Sequence, residues 1–420
     1  MIFRRNKAFS ADFTRLAWAN LSAQSAEQIV LSAAPMVAVL ILGATVAQTG
    51  AMQTILTLPF VLLAIPAGVL ADRLRRKTLM AWAEGLRAGS LLLLVILIVA
   101  GQLNWITLTA LGFISVCGTV MFSVAAPALV PALVASKYLV SANARIELAR
   151  TSAFTVGPAL GGFLVGGIGA GAAFGVATIL SILAVRMLQG INEQVRPRQQ
   201  HRRPVQEIKE GVAFIASHPL LAPIFLTQFI FSAGMFMILA VFVPHAVHGL
   251  GLSASSVGLV MAMLGGGLFF GAVLSGAVLS RISFGAAIGI GPFTGLAGSI
   301  FIAATAWVPS APLAGLVAGF GFFLLGAGPI LWVISTTTLR QSVTPAELLG
   351  RVSAINILTY GARPLGAGLG TVIGSQFGAE VSLMATVIIF ALQAAVISIS
   401  PAVRLSEQPS GPILTDGAHP

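Results

Sequence analysis

Gly68-Val69-Leu70-Ala71-Asp72-Arg73 closes one long apolar stretch, and Gly276-Ala277-Val278-Leu279-Ser280-Arg281 closes another, 208 residues later. A second pair of landmarks repeats at nearly the same distance. Arg145 precedes Pro158 by thirteen residues, and Arg351 precedes Pro364 by the same thirteen, an offset of 206. Two independent landmarks with one period describe a duplicated chain. The apolar stretches around them are long enough to cross a bilayer, which takes roughly 20 apolar residues in a helix. Lipid offers the backbone no hydrogen-bond partner, so runs of this length read as helices.

Working outward from the two echoes, helices are expected at 16–42, 47–71, 78–100, 105–134, 142–166 and 169–189, then at 219–245, 253–279, 283–306, 310–335, 347–374 and 379–400. Composition agrees. Only 8% of residues are charged, 57% are hydrophobic, and the mean hydropathy is +0.98. A soluble domain carries about 25% charged residues, so this chain cannot cover a water-facing surface. Its 46 glycines let helix backbones approach closely where lipid supplies no hydrophobic drive.

The loops sort by charge. Arg73, Arg75, Arg76 and Lys77 follow the second helix and Lys137 the fourth; Arg196, Arg198, Arg202, Arg203 and Lys209 follow the sixth, Arg281 the eighth and Arg340 the tenth. The alternate loops, around 43–46, 101–104, 167–168, 246–252, 307–309 and 375–378, hold no Lys or Arg. Cations stay on the cytoplasmic side, so both termini and the basic loops are expected there. Topology thus explains the net charge of +11, and nucleic-acid binding is not expected. Arg4, Arg5, Lys7 and Arg15 precede the first helix, but that run is too long for the core of a signal peptide and lacks a cleavage site, so it is expected to stay as an anchor.

The expected organisation is a six-helix bundle over 1–189, a cytoplasmic linker over 190–218, a second six-helix bundle over 219–400 and a disordered cytoplasmic tail over 401–420. Within the linker, Val205, Ile208, Val212 and Ile215 share one helical face, which predicts a short interfacial helix over 204–217. The halves form a parallel repeat, an arrangement that places a substrate site near the membrane midplane.

With the loop after the second helix extended to Asp72-Arg73-Leu74-Arg75-Arg76-Lys77, the sequence resembles a major facilitator superfamily transporter. The family form is G-x-L-A-D-R-x-G-R-K, from which Arg75 departs. The resemblance covers about residues 10–400. It implies the major facilitator fold and a cytoplasmic gate at Gly68, Asp72, Arg73, Arg76 and Lys77. Gly157-Pro158-Ala159-Leu160-Gly161-Gly162 in the fifth helix resembles the core of the family's antiporter motif, although Ala144 and Ala153 stand where that pattern has glycines. Within the family the wording is similar to the bacterial siderophore and drug exporter branch, which implies efflux across a bacterial inner membrane. Many such exporters carry an Arg in the fourth helix, whereas residues 105–134 hold no charge.

Charges inside a membrane are costly and need a reason. Asn20, Gln24, Glu27 and Gln28 share one face of the first helix, with Glu27 near the midplane. We read this stripe as facing a cavity in which Glu27 binds a proton or a cationic group. Arg363 is its counterpart in the eleventh helix, and Gln228, Asn356 and Tyr360 are further cavity candidates. Glu84/Arg87 and Glu147/Arg150 are spaced i, i+3 and read as local ion pairs with Arg reaching toward water. His245 and His248 read as loop histidines near the outer surface.

No catalytic constellation, metal cluster or P-loop is present in the sequence, and the single cysteine, Cys117, forms no internal disulfide. The expectation is therefore not an enzyme but a cofactor-free secondary transporter. It works as a monomer in the cell membrane and exports a small amphipathic solute against protons. The alternatives are an uptake symporter or uniporter on the same fold and, in a different class, a membrane receptor. The topology makes a direct prediction. In a Cys117→Ser background, a membrane-impermeant maleimide added to intact cells will label Gln102→Cys and spare Gln199→Cys.

Overall fold

The computed structural model describes residues 10–134, 139–193, 204–345, 348, 352 and 359–409; at some helical positions, Asp72 and Arg73 among them, it describes the backbone only. The regular structure of the described residues is all helical, as the sequence predicts. In chain order the helices are α1 (Ala11–Leu40), α2 (Val46–Leu62), α3 (Ala64–Arg73), α4 (Arg76–Val99), α5 (Trp105–Leu133), α6 (Leu139–Gly167), α7 (Ala170–Gln189), α8 (Pro204–Ser217), α9 (Leu221–Pro244), α10 (Ala254–Leu279), α11 (Phe284–Ala304), α12 (Ala311–Val343), α13 (Ala362–Phe377) and α14 (Ala379–Ile399). Nine of the helices among the described residues are long and apolar enough to cross a membrane. The α2–α3 pair, α6 and α13 fall on the remaining expected spans.

Polar side chains start these apolar helices. Ser10 accepts from the Phe13 N–H at 3.1 Å, and Thr45 with Gln48 and Asn104 with Thr107 form reciprocal capping boxes. Each cap satisfies an orphan first-turn donor. The expected helix over 47–71 is broken at Leu63, between α2 and α3. Pro66 explains the break, because its ring crowds the carbonyl four residues earlier, at Leu62. The eleventh span also differs from its expected 347–374. Leu348 and Val352 are helical as expected, but residues 359–361 form a 3₁₀ turn that interrupts the span, and a separate α-helix begins at Ala362. Pro364 then sits in the first turn, where its missing N–H costs nothing. His245 is not a loop residue: it is buried in a π-helical turn, His245–Gly249, that continues α9.

The chain separates into two compact units, Met1–Gln200 with Val243–Gly265, and His201–Phe242 with Gly266–Pro420. The first is built on a core that includes Leu16, Phe122, Leu129 and Leu188. The second is built on Ile288, Trp332, Leu339 and Ile397. The helix expected over 204–217 is present as α8, and Ile215 anchors its end in the second core. The first part of the expected disordered tail is ordered. The Ser406 and Leu405 carbonyls accept from the Phe284 and Gly285 N–H groups at 3.2 and 2.7 Å. Those donors open α11 and have no partner inside it. Residues 410–420 lie outside the described residues.

Glycine contacts organise the packing. A Cβ at Gly157 would run into the Cβ of Gln28, and one at Gly161 would run into Ser32, both on α1. In the second unit, a Cβ at Gly366 would strike the Ala233 carbonyl, and one at Gly370 would lie 2.9 Å from the Met237 carbonyl, both on α9. In each unit, then, the fifth-span helix lies on the first-span helix through two glycines four residues apart. The repeat read from sequence is visible as a repeated packing device. Inserting volume into such a contact costs about 1–3 kcal/mol. Gly161→Leu is accordingly expected to lower the thermal unfolding midpoint in detergent. Gly68→Ala, where a Cβ meets nothing within 4 Å, is expected to leave it unchanged.

Candidate functional site

The polar stripe of α1 is carried on one continuous helix, and its residues divide. Asn20 and Gln28 are buried, with Asn20 Nδ2 donating to the Ile146 carbonyl of α6 at 3.4 Å and Gln28 packed on Gly157. Gln24 and Glu27 are half-buried. The stripe therefore meets α6 along its edge and keeps Gln24 and Glu27 less enclosed.

The antiporter-like motif on α6 packs on two sides. Gly157 and Gly161 meet α1, as above. Gly162 meets the first half of α10, where an added Cβ would lie 2.5 Å from the Ala254 carbonyl and 2.8 Å from the Gly258 Cα. A Cβ added at Gly258 would in turn lie 2.6 Å from the Pro158 carbonyl, and one at Gly265 would strike the Phe154 carbonyl. These backbone contacts are why residues 243–265 join the first unit.

Of the loop motif, Gly68 is half-buried with open space around its Cα, so no close approach requires glycine there. The side chains of Asp72 and Arg73 are outside the described set. Arg76 and Lys77 open α4, and a residue the sequence reading passed over holds them. The Glu193 carboxylate accepts from the Arg76 N–H at 3.1 Å and the Lys77 N–H at 3.0 Å, while Lys77 Nζ donates to the Ile191 carbonyl at 2.6 Å. Arg15 of α1, paired with Asp12, donates to the adjoining Gly190 carbonyl. A carboxylate at a helix N-terminus meets both free N–H groups and the positive end of the helix dipole. This clamp fastens the start of the linker to the loop motif.

In the second unit, Arg363 is half-buried and stacks its guanidinium 5.0 Å from the Phe236 ring centre on α9. Gln228 is half-buried on α9. Tyr360 lies on the 3₁₀ turn, with only its backbone described, and Asn356 lies outside the described residues.

The two i, i+3 pairs are not alike. Glu147 and Arg150 are 53% and 36% exposed, and Arg150 also lies over the Phe154 ring, in keeping with a local surface pair. Glu84 and Arg87 are 0% and 1% exposed, which overturns the reading of Arg87 as reaching toward water. Their ion pair spans 2.7 Å. Arg87 also donates to the Ala23 carbonyl of α1 at 3.1 Å and to the Thr119 hydroxyl of α5, and Ser181 of α7 faces the carboxylate. Although α5 has no charge of its own, a guanidinium from α4 thus touches it. The i, i+3 spacing was readable in sequence; which way the pair points was not, because it depends on the close approach of α4 at Gly118, where an added Cβ would lie 2.5 Å from the Ala83 carbonyl.

Repeated helix sets with a polar stripe and buried charges describe a membrane transporter. The chain belongs to the Major Facilitator Superfamily, whose family model matches residues 16–371. It is accordingly a multi-pass membrane protein and a transporter rather than an enzyme. It is 27% identical over 354 residues to the uncharacterized MFS-type transporter YfiS of Bacillus subtilis (strain 168), covering 78% of each chain. It is 26% identical over 331 residues to the enterobactin exporter EntS of Salmonella typhimurium, covering 77% of each. In fold it is similar to a bacterial homologue of the human lysosomal transporter Spinster in an inward-facing, unoccupied conformation, with a TM-score of 0.70 at 17% identity over 94% of this chain and 96% of that one. It is also similar to a D-xylose–proton symporter, with a TM-score of 0.71 at 13% identity over 93% and 97%.

Removing the clamp has a measurable cost. Loss of a helix N-cap is worth about 1 kcal/mol. Glu193→Ala is expected to speed amide hydrogen exchange at residues 76–78 by roughly fivefold, with the remainder of α4 unaffected.

Proposed function

We propose that this transporter is a secondary exporter that moves a small amphipathic solute, such as a drug, siderophore or metabolite, outward in exchange for protons. It works as a monomer in a bacterial inner membrane with both termini in the cytoplasm, and alternates access between its two six-helix halves. The observation that carries this reading is the glycine-and-proline face of α6, which lies on both α1 and α10. The name of the EntS relative, an exporter, supports the same direction. The gate is assigned to Gly68, Asp72, Arg73, Arg76 and Lys77. The cavity is assigned to Asn20, Gln24, Glu27, Gln28, Gln228, Asn356, Tyr360 and Arg363, with Glu27 as a proton site. No cofactor takes part. One elementary charge moving down a potential yields about 2.3 kcal/mol per 100 mV, sufficient drive for export. The few cavity charges favour an amphipathic solute over a highly charged one.

Uptake by symport is the second reading, since a proton symporter shares the fold. A deletion strain screened for susceptibility and for retained metabolites identifies the solute. Flux of that solute in proteoliposomes under an imposed pH gradient then separates the two readings. Exchange against protons supports export, and co-movement overturns it. Glu27→Gln is expected to keep solute-for-solute exchange while losing most of the accumulation driven by the gradient.

A further inference from the structure

The Glu84–Arg87 pair is the most enclosed pair of charges among the described residues. Eight residues from the start of α4, Glu84 lies about 12 Å along the helix, inside the membrane. Enclosed charges need a purpose there, and the duplication supplies a control. Under the offset of 208 residues, Arg76 at the start of α4 falls on Phe284 at the start of α11, Glu84 on Pro292 and Arg87 on Gly295. The second half fills that position with Gly295 against the Phe390 ring, 3.1 Å from an added Cβ. The same helix register therefore closes without any charge, and packing alone does not account for the pair.

Its partners point to a use. Arg87 holds Glu84 on its own helix and, on α1, the carbonyl of Ala23, one turn before Glu27. Around the carboxylate stand Arg87 and Ser181 on α7, and Arg87 in turn donates to the Thr119 hydroxyl on α5. The other charged side chains on these packed helices are Asp12, Arg15 and Glu27 on α1, Arg186 on α7, and Arg76 and Lys77 on α4; α5 has none. We propose that Glu84 and Arg87 form a proton-operated switch, in which a proton taken up by the Glu84 carboxylate frees Arg87 from its ion-pair partner and transmits the change to α1 through the Ala23 carbonyl. The step is a simple protonation: the proton comes from the aqueous phase, forms an O–H bond on Glu84 and returns on release. A neutral Glu84 leaves a buried guanidinium whose described acceptors, the Ala23 carbonyl and the Thr119 hydroxyl, carry no charge, a costly state. The helix that offers one of those acceptors is thereby drawn into a new position. The proposal rests on the proton-exchange reading above and adds a second proton site to it.

The test uses the purified full-length chain in lipid nanodiscs and needs no solute, so its outcome is independent of the direction of transport. Infrared difference spectra recorded as pH is lowered follow the carbonyl stretch of protonated carboxyls. Glu84→Gln is expected to remove one titrating component that Glu27→Gln leaves in place. Hydrogen exchange of residues 16–30, corrected for the intrinsic slowing of amide exchange at low pH, is expected to rise as pH falls in the parent chain and to stay flat in Glu84→Gln. Superimposable spectra of parent and Glu84→Gln overturn the proposal, as does an α1 response that survives the substitution. If Glu84→Gln does not fold, Glu84→Asp serves: a shifted titration midpoint supports the switch and an unshifted one overturns it.

Discussion

A lipid-embedded chain must satisfy its backbone polar groups within itself, and it gains little from hiding one apolar surface against another. Helix formation answers the first demand. Close approach of backbones answers the second, and in this protein it falls to glycine. The contacts of Gly157 and Gly161 with α1, of Gly162 and Gly258 with each other, and of Gly366 and Gly370 with α9 set how closely these helices lie. Asn20 reaches Ile146, and Gln28 lies where it does, because α6 has come this close. Gly118 plays the same part for Arg87, whose helix packs on α5 without a side chain between.

Much of this was legible in the sequence. Apolar run length placed the helices, and the echo of Gly68–Arg73 at Gly276–Arg281 exposed the repeat before any packing was seen. The resemblance in the loop and helix-5 motifs pointed to a family that the chain does belong to. Boundaries were read less well where proline acted locally. Pro66 splits a span at Leu63, and Pro364 sits in the first turn of α13 rather than in the middle of a longer helix.

The site was legible in composition but not in direction. Spacing shows which residues share a helix face, not which neighbour that face meets. Glu84/Arg87 and Glu147/Arg150 have identical spacing, yet one pair is sealed and the other faces outward. Glu193 was missed for a related reason. A single acid among basic loop residues carries no signal until the turn after α7 brings it onto the start of α4. The ordered segment after α14 was likewise invisible, because its role is to supply carbonyls, which every residue possesses.

The glycine seam between α6 and α10 has a mechanical side. Where side chains interdigitate, they must change rotamer before one helix can slide along another. Gly162 and Gly258 have no rotamers to change, and their neighbours Pro158 and Ala254 offer backbone carbonyls to the contact. Such a face resists separation and compression but presents few teeth to motion along its length, the small sliding of packed helices that underlies shear movements. The seam that makes α6 and α10 tight across their contact leaves them smooth along it.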